Sequence, residues 1–492
     1  MTVNRQKHTV KEINVTFVFG LVLTINFIKK IIMKITLTTI LVLLFTNITI
    51  AQTTSIPDAN FEQALIDLGY DTGIIDGLVP TANIDTVTTL YIGFNGISDL
   101  TGIEDFTAIT VLFCSSSLLT SLDITQNTAL TQLAFPDNQI TNIDVSQNTA
   151  LTYLNLTGNQ LTSLNVTQNT SLTNLICTDN LLTTIDLAQN TALTYLNCEG
   201  NQLISLDLSQ NTTLQQLSCG GNELINLDLT QNTALTYLNC DGNQLTSLDV
   251  TQNTSLAYLI CSGNQLTHLN LNTTLITLWC IRNNLTSLDV SQNTSLTDLR
   301  CDYNQITNLD VTQNTVLDFL SCIENQLTSL DVSQNTALTY LNCQANQLNC
   351  LNVKNSNYLN VHQFWANNNP NLTCIEVDNV AFSTTYWINI DAQTSFSQNC
   401  SNACSTVGIN ETISTDISTY PNPTNGLFTI SLTNINQMKG YTITTLEGRV
   451  VKQANNVSSN NIEVDLTNES KGVYLLRINE NDSNKVYKIV RQ

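Results

Sequence analysis

The stretch LTYLNCDGNQLTSLDVTQNTS, Leu235–Ser255, decides the reading of this chain. LTYLNCEGNQLISLDLSQNTT at Leu193–Thr213 is nearly the same phrase, and LTYLNCQANQLNCLNV opens again at Leu338. Aligned phrases begin at Val87, Ile109, Leu130, Leu151, Leu172, Leu193, Leu214, Leu235, Leu256, Leu275, Leu296, Leu317 and Leu338. One step is 22 residues, one is 19, and the other ten are 21. A fixed period of this length marks a solenoid, in which each coil leaves its core open until a neighbour stacks on it. Within each phrase Leu-x-x-Leu-x-apolar occurs twice, as in LTYLNC and LTSLDV, and neither half is long enough for a helix. The period therefore predicts a firm strand and a second short extended segment in every coil, giving two parallel ladders.

The phrase LxxLxCxxNxL resembles the leucine-rich repeat, and within that class the irregular 21-residue repeats of internalin-like bacterial surface proteins. The match spans roughly residues 85–355. Its implied fold is a mainly β solenoid of about 13 coils.

Cysteine fills one column of the repeat: Cys114, Cys177, Cys198, Cys219, Cys240, Cys261, Cys280, Cys301, Cys322 and Cys343, with Phe135 and Leu156 in its place at two steps. Exchange with Phe and Leu marks an inward position, where a free thiol packs as a small hydrophobe. Stacked parallel strands also hold side chains about 4.8 Å apart with parallel Cβ vectors, poor geometry for a disulfide. Asparagine fills two further columns, one from Asn95 and Asn138 through Asn346 and one through the QNT turns at Asn127–Asn335, where it can satisfy turn amides and carbonyls.

Both ends of the period break. SIPDANFEQALIDLG offers Asp58 as an N-cap, apolar residues at helical spacing and Gly69 as a stop, a capping helix within a cap at 52–86. After the solenoid at 87–358, residues 359–400 read as a C-terminal cap and 401–418 as a polar linker. Cys350, Cys374, Cys400 and Cys404 lie outside the buried column, and a disulfide fits among them, Cys374–Cys400 foremost. Ahead of the caps, Met33–Ala51 has the layout of a secretory signal peptide, with residues 1–32 as an upstream extension. The apolar run Val15–Ile28 is short of the ~20 residues that span a bilayer, so the mature protein is expected to have no transmembrane segment.

Residues 419–492 alternate strand and turn signals and predict a small antiparallel β-sandwich. Tyr420, Pro421, Asn422, Pro423, Asn425 and Gly426, then Gly472 and Tyr474, resemble the C-terminal sorting domain of Bacteroidetes type IX secretion cargo. That resemblance implies the type IX machinery as a partner, and release or attachment at the outer cell surface.

Charge narrows the function. The whole chain has 17 Lys and Arg against 39 Asp and Glu, but residues 53–418 keep only Arg282, Arg300 and Lys354 against 32 acidic residues. Such a surface repels phosphate backbones, so nucleic acid is excluded as a partner, and it attracts cations or a basic partner. His268 and His362 are isolated, and no catalytic or cofactor motif occurs, so the reading is not an enzyme and needs no cofactor. The acidic column that includes Asp207, Asp228 and Asp249 points outward and is the one place for weakly held calcium; bonding to local amides and hydroxyls is the simpler expectation.

The outward positions of LTYLNC make the candidate recognition face. Tyr195, Tyr237, Tyr258, Phe319 and Tyr340 form one column; Asn197, Asn239, Trp279 and Arg300 form the next. Aromatic and amide groups on a rigid strand surface suit protein or glycan contacts. The 19-residue coil carries Trp279 and Arg282, beside Arg300 and Tyr303, and marks an expected hot spot. The expectation is a monomeric, secreted or surface-held protein for protein recognition or adhesion. Glycan binding is the alternative, and ice or mineral-surface binding a structural third.

Overall fold

The computed structural model describes residues 20–36, 52–93, 96–401, 404, 417–420, 424–432, 438–445, 449–455, 461–480 and 484–491. The chain divides into two compact units, Met1–Asn402 and Ala403–Gln492.

The first unit is a right-to-the-period solenoid. Its main sheet has 14 strands, all parallel and in chain order from Thr89–Gly93 to Gln363–Trp365. Each phrase gives one strand of this ladder. Register is strict: Leu196 lies beside Leu217, Leu217 beside Leu238, and Leu238 beside Leu259. Most of these strands are three residues long, shorter than the four of YLNC, and where the last is Asn its side chain takes the next-but-one amide. Asn197 Oδ1 accepts from Glu199 N at 3.1 Å, and Asn239 Oδ1 from Asp241 N at 3.1 Å, so the chain bends just past the cysteine. The ladder also runs one coil beyond the last phrase. Gln363–Trp365 pairs with Tyr340–Asn342, with Phe364 standing where the others have leucine.

The interior is apolar throughout. The leucines of the strand half-phrases and the ten cysteines of the column are fully buried, and all ten thiols are free. Those of the second half are less completely buried, with Leu122, Leu269 and Leu271 only partly covered. Burial pushes the Cys177, Cys240 and Cys343 thiols up to about 12.

Asparagine closes the polar account. Asn222 Nδ2 donates to Cys198 O at 3.0 Å in the previous coil and to Cys219 O and Gly220 O at 3.1 Å in its own, while its Oδ1 accepts from Leu203 N at 3.0 Å. The same four contacts recur along the column. In the 19-residue coil Asn283 keeps them at shortened offsets, to Cys261 O at 3.1 Å and from Leu266 N at 3.0 Å. The missing two residues are absorbed without an orphaned group in this network.

The second ladder forms only in places. Ser247–Asp249 pairs with His268–Asn270 at the shortened coil, and Ser329–Asp331, Cys350–Asn352, Cys374–Glu376 and Ser395–Ser397 make a four-stranded sheet at the C-terminal end. Elsewhere the LDV segments are extended but unladdered. There the coil-to-coil link is made by side chains: Asn232 Nδ2 donates to Leu208 O at 3.1 Å and to Asn211 O at 2.9 Å in the coil before. Backbone pairing needs strands about 4.8 Å apart, and a side-chain bridge does not.

At the N-terminal end the helix Ala59–Asp67 closes the core with Phe61, Ala64 and Leu65. Asp58 caps it through Oδ1, accepting from Asn60 N at 2.8 Å and Phe61 N at 3.0 Å, while Oδ2 accepts from Ser98 N and Oγ at 2.8 Å. One carboxylate thus joins the cap to the first coil. Gly69 ends the helix at φ +80, its N–H on Ile66 O at 2.9 Å. At the other end Trp387 stacks on Phe364 with ring centres 4.5 Å apart and donates to Val361 O. Cys374 and Cys400 are joined, Cα to Cα 5.9 Å, and Cys350 and Cys404 are disulfide-bonded as well.

Residues 20–36 form an exposed helix, and 37–51, most of the signal-like segment, lie outside the described residues. No described helix is long and apolar enough to cross a membrane.

The second unit is antiparallel. Ile417–Tyr420, Leu427–Leu432 and Asn461–Asp465 form one sheet; Met438–Thr445, Val450–Asn455, Gly472–Glu480 and Asn484–Arg491 form another. Phe428, Ile430, Tyr441, Ile443, Val464, Leu476, Ile478 and Ile489 share their core.

Candidate recognition face

The outward residues of the main sheet stand in two columns set by register. Tyr195, Gln216, Tyr237 and Tyr258 lie side by side in one, then Thr277, Asp298, Phe319 and Tyr340. Asn197, Ser218, Asn239, Ile260, Trp279 and Arg300 lie in the other. Side chains two apart on a strand share a face, so both columns look outward.

Downstream, the face is a stacked assembly. The Arg300 guanidinium sits 4.3 Å from the centre of the Trp279 ring and 4.2 Å from that of Phe319. Its Nε and Nη2 donate to the two Asp298 oxygens at 3.0 Å each, and Trp279 Nε1 donates to Asp298 Oδ2 at 3.1 Å. Phe319 then stacks on Tyr340 at 3.8 Å, and Tyr340 leans on Trp365 at 5.3 Å. Arg300 is therefore held on both flat faces and along its bidentate edge. It stiffens the surface that presents Trp279, Phe319, Tyr340 and Trp365, and its charge is already answered by Asp298.

Arg282 and Tyr303 are brought together elsewhere. Both occupy the left-handed turn after the strand, at φ 55 and 56, and Arg282 lies over the Tyr303 ring at 5.3 Å. The four residues expected as one hot spot thus form two groups, a sheet-face stack and a turn-edge pair. Next to the edge pair, the buried Asp302 accepts from Ser321 Oγ at 2.6 Å and Ile323 N at 2.7 Å, and burial pushes its carboxyl up.

The central face is polar and acidic at its rim. Asn239 Nδ2 donates to Glu199 Oε1 at 2.7 Å across two coils. Burial, then the Asp241 charge, raises Glu199, and burial raises Asp241. Burial and the same two charges raise the Tyr237 phenol. Glu199 and Asp241 were missed by sequence reading; their signal is that both follow the cysteine, two phrases apart, with only Gly220 between.

Asp207, Asp228 and Asp249 lie on the opposite side of the coil. Each accepts from the amide two residues on, Ser209 N, Thr230 N and Thr251 N at 2.9 Å, and these donors hold all three carboxyls below the usual range. Asp249 also accepts from Thr251 Oγ1 at 2.7 Å. Among the described residues no group of three or more His, Cys, Asp or Glu side chains is placed to hold a metal ion.

In the C-terminal unit Tyr420 ends the first strand, Gly426 turns into the second at φ +115, and Gly472 opens the strand that carries Tyr474. Tyr474 is buried and its hydroxyl donates to Ser470 O at 2.6 Å. Asn425 is exposed, and Pro421, Asn422 and Pro423 lie outside the described residues.

Comparison with known proteins fits both units. Residues 418–492 match the family described as the secretion system C-terminal sorting domain, which marks the chain for export to the cell surface or beyond. The chain is similar to the functional domain of InlJ from Listeria monocytogenes, described as including a cysteine ladder, at 29% identity over 90% of this chain and 99% of that one, TM-score 0.56. A leucine-rich-repeat protein of Leptospira interrogans (24% identity, 64% and 85% covered, TM-score 0.54) and an internalin of Listeria monocytogenes (20%, 70% and 96%, TM-score 0.52) share the fold. A search of curated proteins gives no match.

Proposed function

We propose that this exported leucine-rich-repeat protein works by recognition rather than catalysis, its outward sheet face binding an extracellular protein in adhesion or capture. One observation carries the reading: a continuous parallel sheet presents aromatic and amide side chains in fixed register, and its downstream end is locked by the Trp279–Arg300–Phe319 stack. Rigid aromatics give contact area at small entropic cost, which suits the centre of a protein interface. The alternation of Tyr195, Asn197, Tyr237 and Asn239 supports glycan binding as a second reading, since ring faces and amides also suit sugar rings.

The test uses the exported chain, immobilised and exposed both to extracellular proteins from its natural surroundings and to a glycan array. Saturable protein capture that falls when Trp365 and Tyr340 are replaced by Ala supports protein recognition. Selective retention of oligosaccharides, with no protein captured, would replace it by the glycan reading.

A further inference from the structure

Beside the sheet face, the turns after the strands form an edge with an unusual floor. Gly200, Gly221, Gly242 and Gly263 follow one another in successive coils, all left-handed at φ between 57 and 63, so four coils present bare backbone in a row. Their amides are already committed, Gly200 N to Gly220 O at 3.0 Å and Gly242 N to Ser262 O at 2.8 Å. The floor thus allows close approach but offers no free donors for an anion.

Carboxylates line that floor and the column beside it. Asp179 leans onto Gly200 of the floor, and in the column one residue earlier Asp241 leans onto Gly220, where a single added methyl would collide with its Oδ1. Glu199 shares the column of Gly220 and Asp241, two coils from Asp241, and is fixed by the Asn239 amide. Burial, then the Asp241 charge, raises the Glu199 carboxyl. Among the described residues, no ion pair involves Asp179, Glu199 or Asp241; the pairs run Arg300–Asp298, Lys354–Glu376 and Arg449–Glu469. Further along, a shallow depression of about 400 Å³ runs over Gly242 and Gly263 and is closed by Arg282 and Tyr303.

We infer that this glycine-floored edge seats an extended basic segment of the protein partner, with a lysine or arginine side chain held between Glu199 and Asp241. The inference rests on the protein-recognition reading and names the partner's chemistry. Charge complementarity selects the occupant: residues 53–418 hold 32 acidic residues against three basic ones, two of which are engaged with their own carboxylates. An ammonium or guanidinium needs only the two carboxylates and the Tyr237 ring beside them, whereas calcium takes 6–8 oxygens. Arg282 at the downstream end repels a second cation, so the segment is read with its positive charge toward Glu199.

Fluorescence anisotropy with the full exported chain tests this, using a labelled peptide of alternating lysine and glycine and a glycine–serine peptide of equal length as control. The lysine peptide binds, and E199Q/D241N weakens it roughly tenfold or more, as expected for losing charge-assisted hydrogen bonds. D289N/D310N, which removes the same charge from the opposite side of the coil, changes binding less than about twofold. Equal weakening by both pairs means diffuse attraction and overturns the inference. So does equal binding of the control peptide, or displacement by millimolar calcium at one ion per chain. A wild-type chain that captures no extracellular protein overturns the recognition reading and this inference with it; capture that survives E199Q/D241N overturns the inference alone.

Discussion

The two sides of each coil are built from similar words, LTYLNC and LTSLDV, and end up held by different means. On the strand side, backbone pairing runs unbroken through 14 strands, the cysteine is sealed inside, and Asn222 and its equivalents use both ends of the amide. On the opposite side, pairing is local, the aspartates face water, and the turn asparagines donate through Nδ2 while Oδ1 of residues such as Asn211 and Asn232 finds no partner. Stability is therefore concentrated on one side of the rod, leaving the other tolerant of change.

The sharpest break of that contrast is by pH. The ladder thiols titrate far above their ordinary value of 9.0, Cys114 at about 11 and Cys177, Cys240 and Cys343 at about 12. The unfolded chain releases those protons first, so the folded state binds more of them and loses stability as pH rises from about 9 toward 12. Alkaline unfolding in that window, followed by circular dichroism, is expected to be cooperative, with the thiols unreactive to alkylation until it begins.

Paired substitutions come next. Asn222→Ala leaves the Leu203 amide buried without a partner, at about 1–3 kcal/mol, while the carbonyls of Cys198 and Cys219 keep one donor each, from Asn201 and Asn243. Asn232→Ala removes two donated bonds but orphans no group, because Leu208 O still accepts from Asn211 N and Asn211 O from Leu214 N, so its cost is smaller, about 1 kcal/mol. Hydrogen exchange localised to each coil reads the difference, with the Leu203 amide losing protection only in the first variant. Equal losses would erase the asymmetry.

Arg300→Ala has a smaller effect, about 1–2 kcal/mol, from two ring contacts and an exposed-side ion pair. Its melt is expected to fall together with partner capture, because the residue braces the face. Capture lost with no shift in the melt would instead make Arg300 a direct contact. On the far side, D207N/D228N is expected to move the melt by no more than about 1 °C, and a chelator not at all. Those carboxyls lie below the usual range, so their contribution is present at neutral pH and is lost only as pH falls through it.

The period, the inward thiols and the capping role of Asp58 were legible in the sequence because each follows from one residue type at one spacing. The patchy second ladder was not, since LDV has the same alternation whether or not a neighbouring coil comes within pairing distance. Gln363–Trp365 escaped the pattern by carrying Phe364 for leucine, which hid Trp365 from the face. Arg282 and Tyr303 looked like face residues by proximity to Trp279; only the left-handed turn separates them. The Asp298–Arg300 clasp was within reach, because residues two apart on a strand share a side.

The asparagine network has a consequence for the history of such a chain. Between Asn138 and Asn346, every amide of the column but that of Asn283 in the 19-residue coil reaches back 24 residues, so Asn222 meets Cys198 as Asn243 meets Cys219. Excising or duplicating a whole phrase restores every one of these partnerships, while a partial one breaks several. Length can then grow or shrink by recombination between near-identical segments of the gene, and the reach of the protein becomes adjustable in single-coil increments.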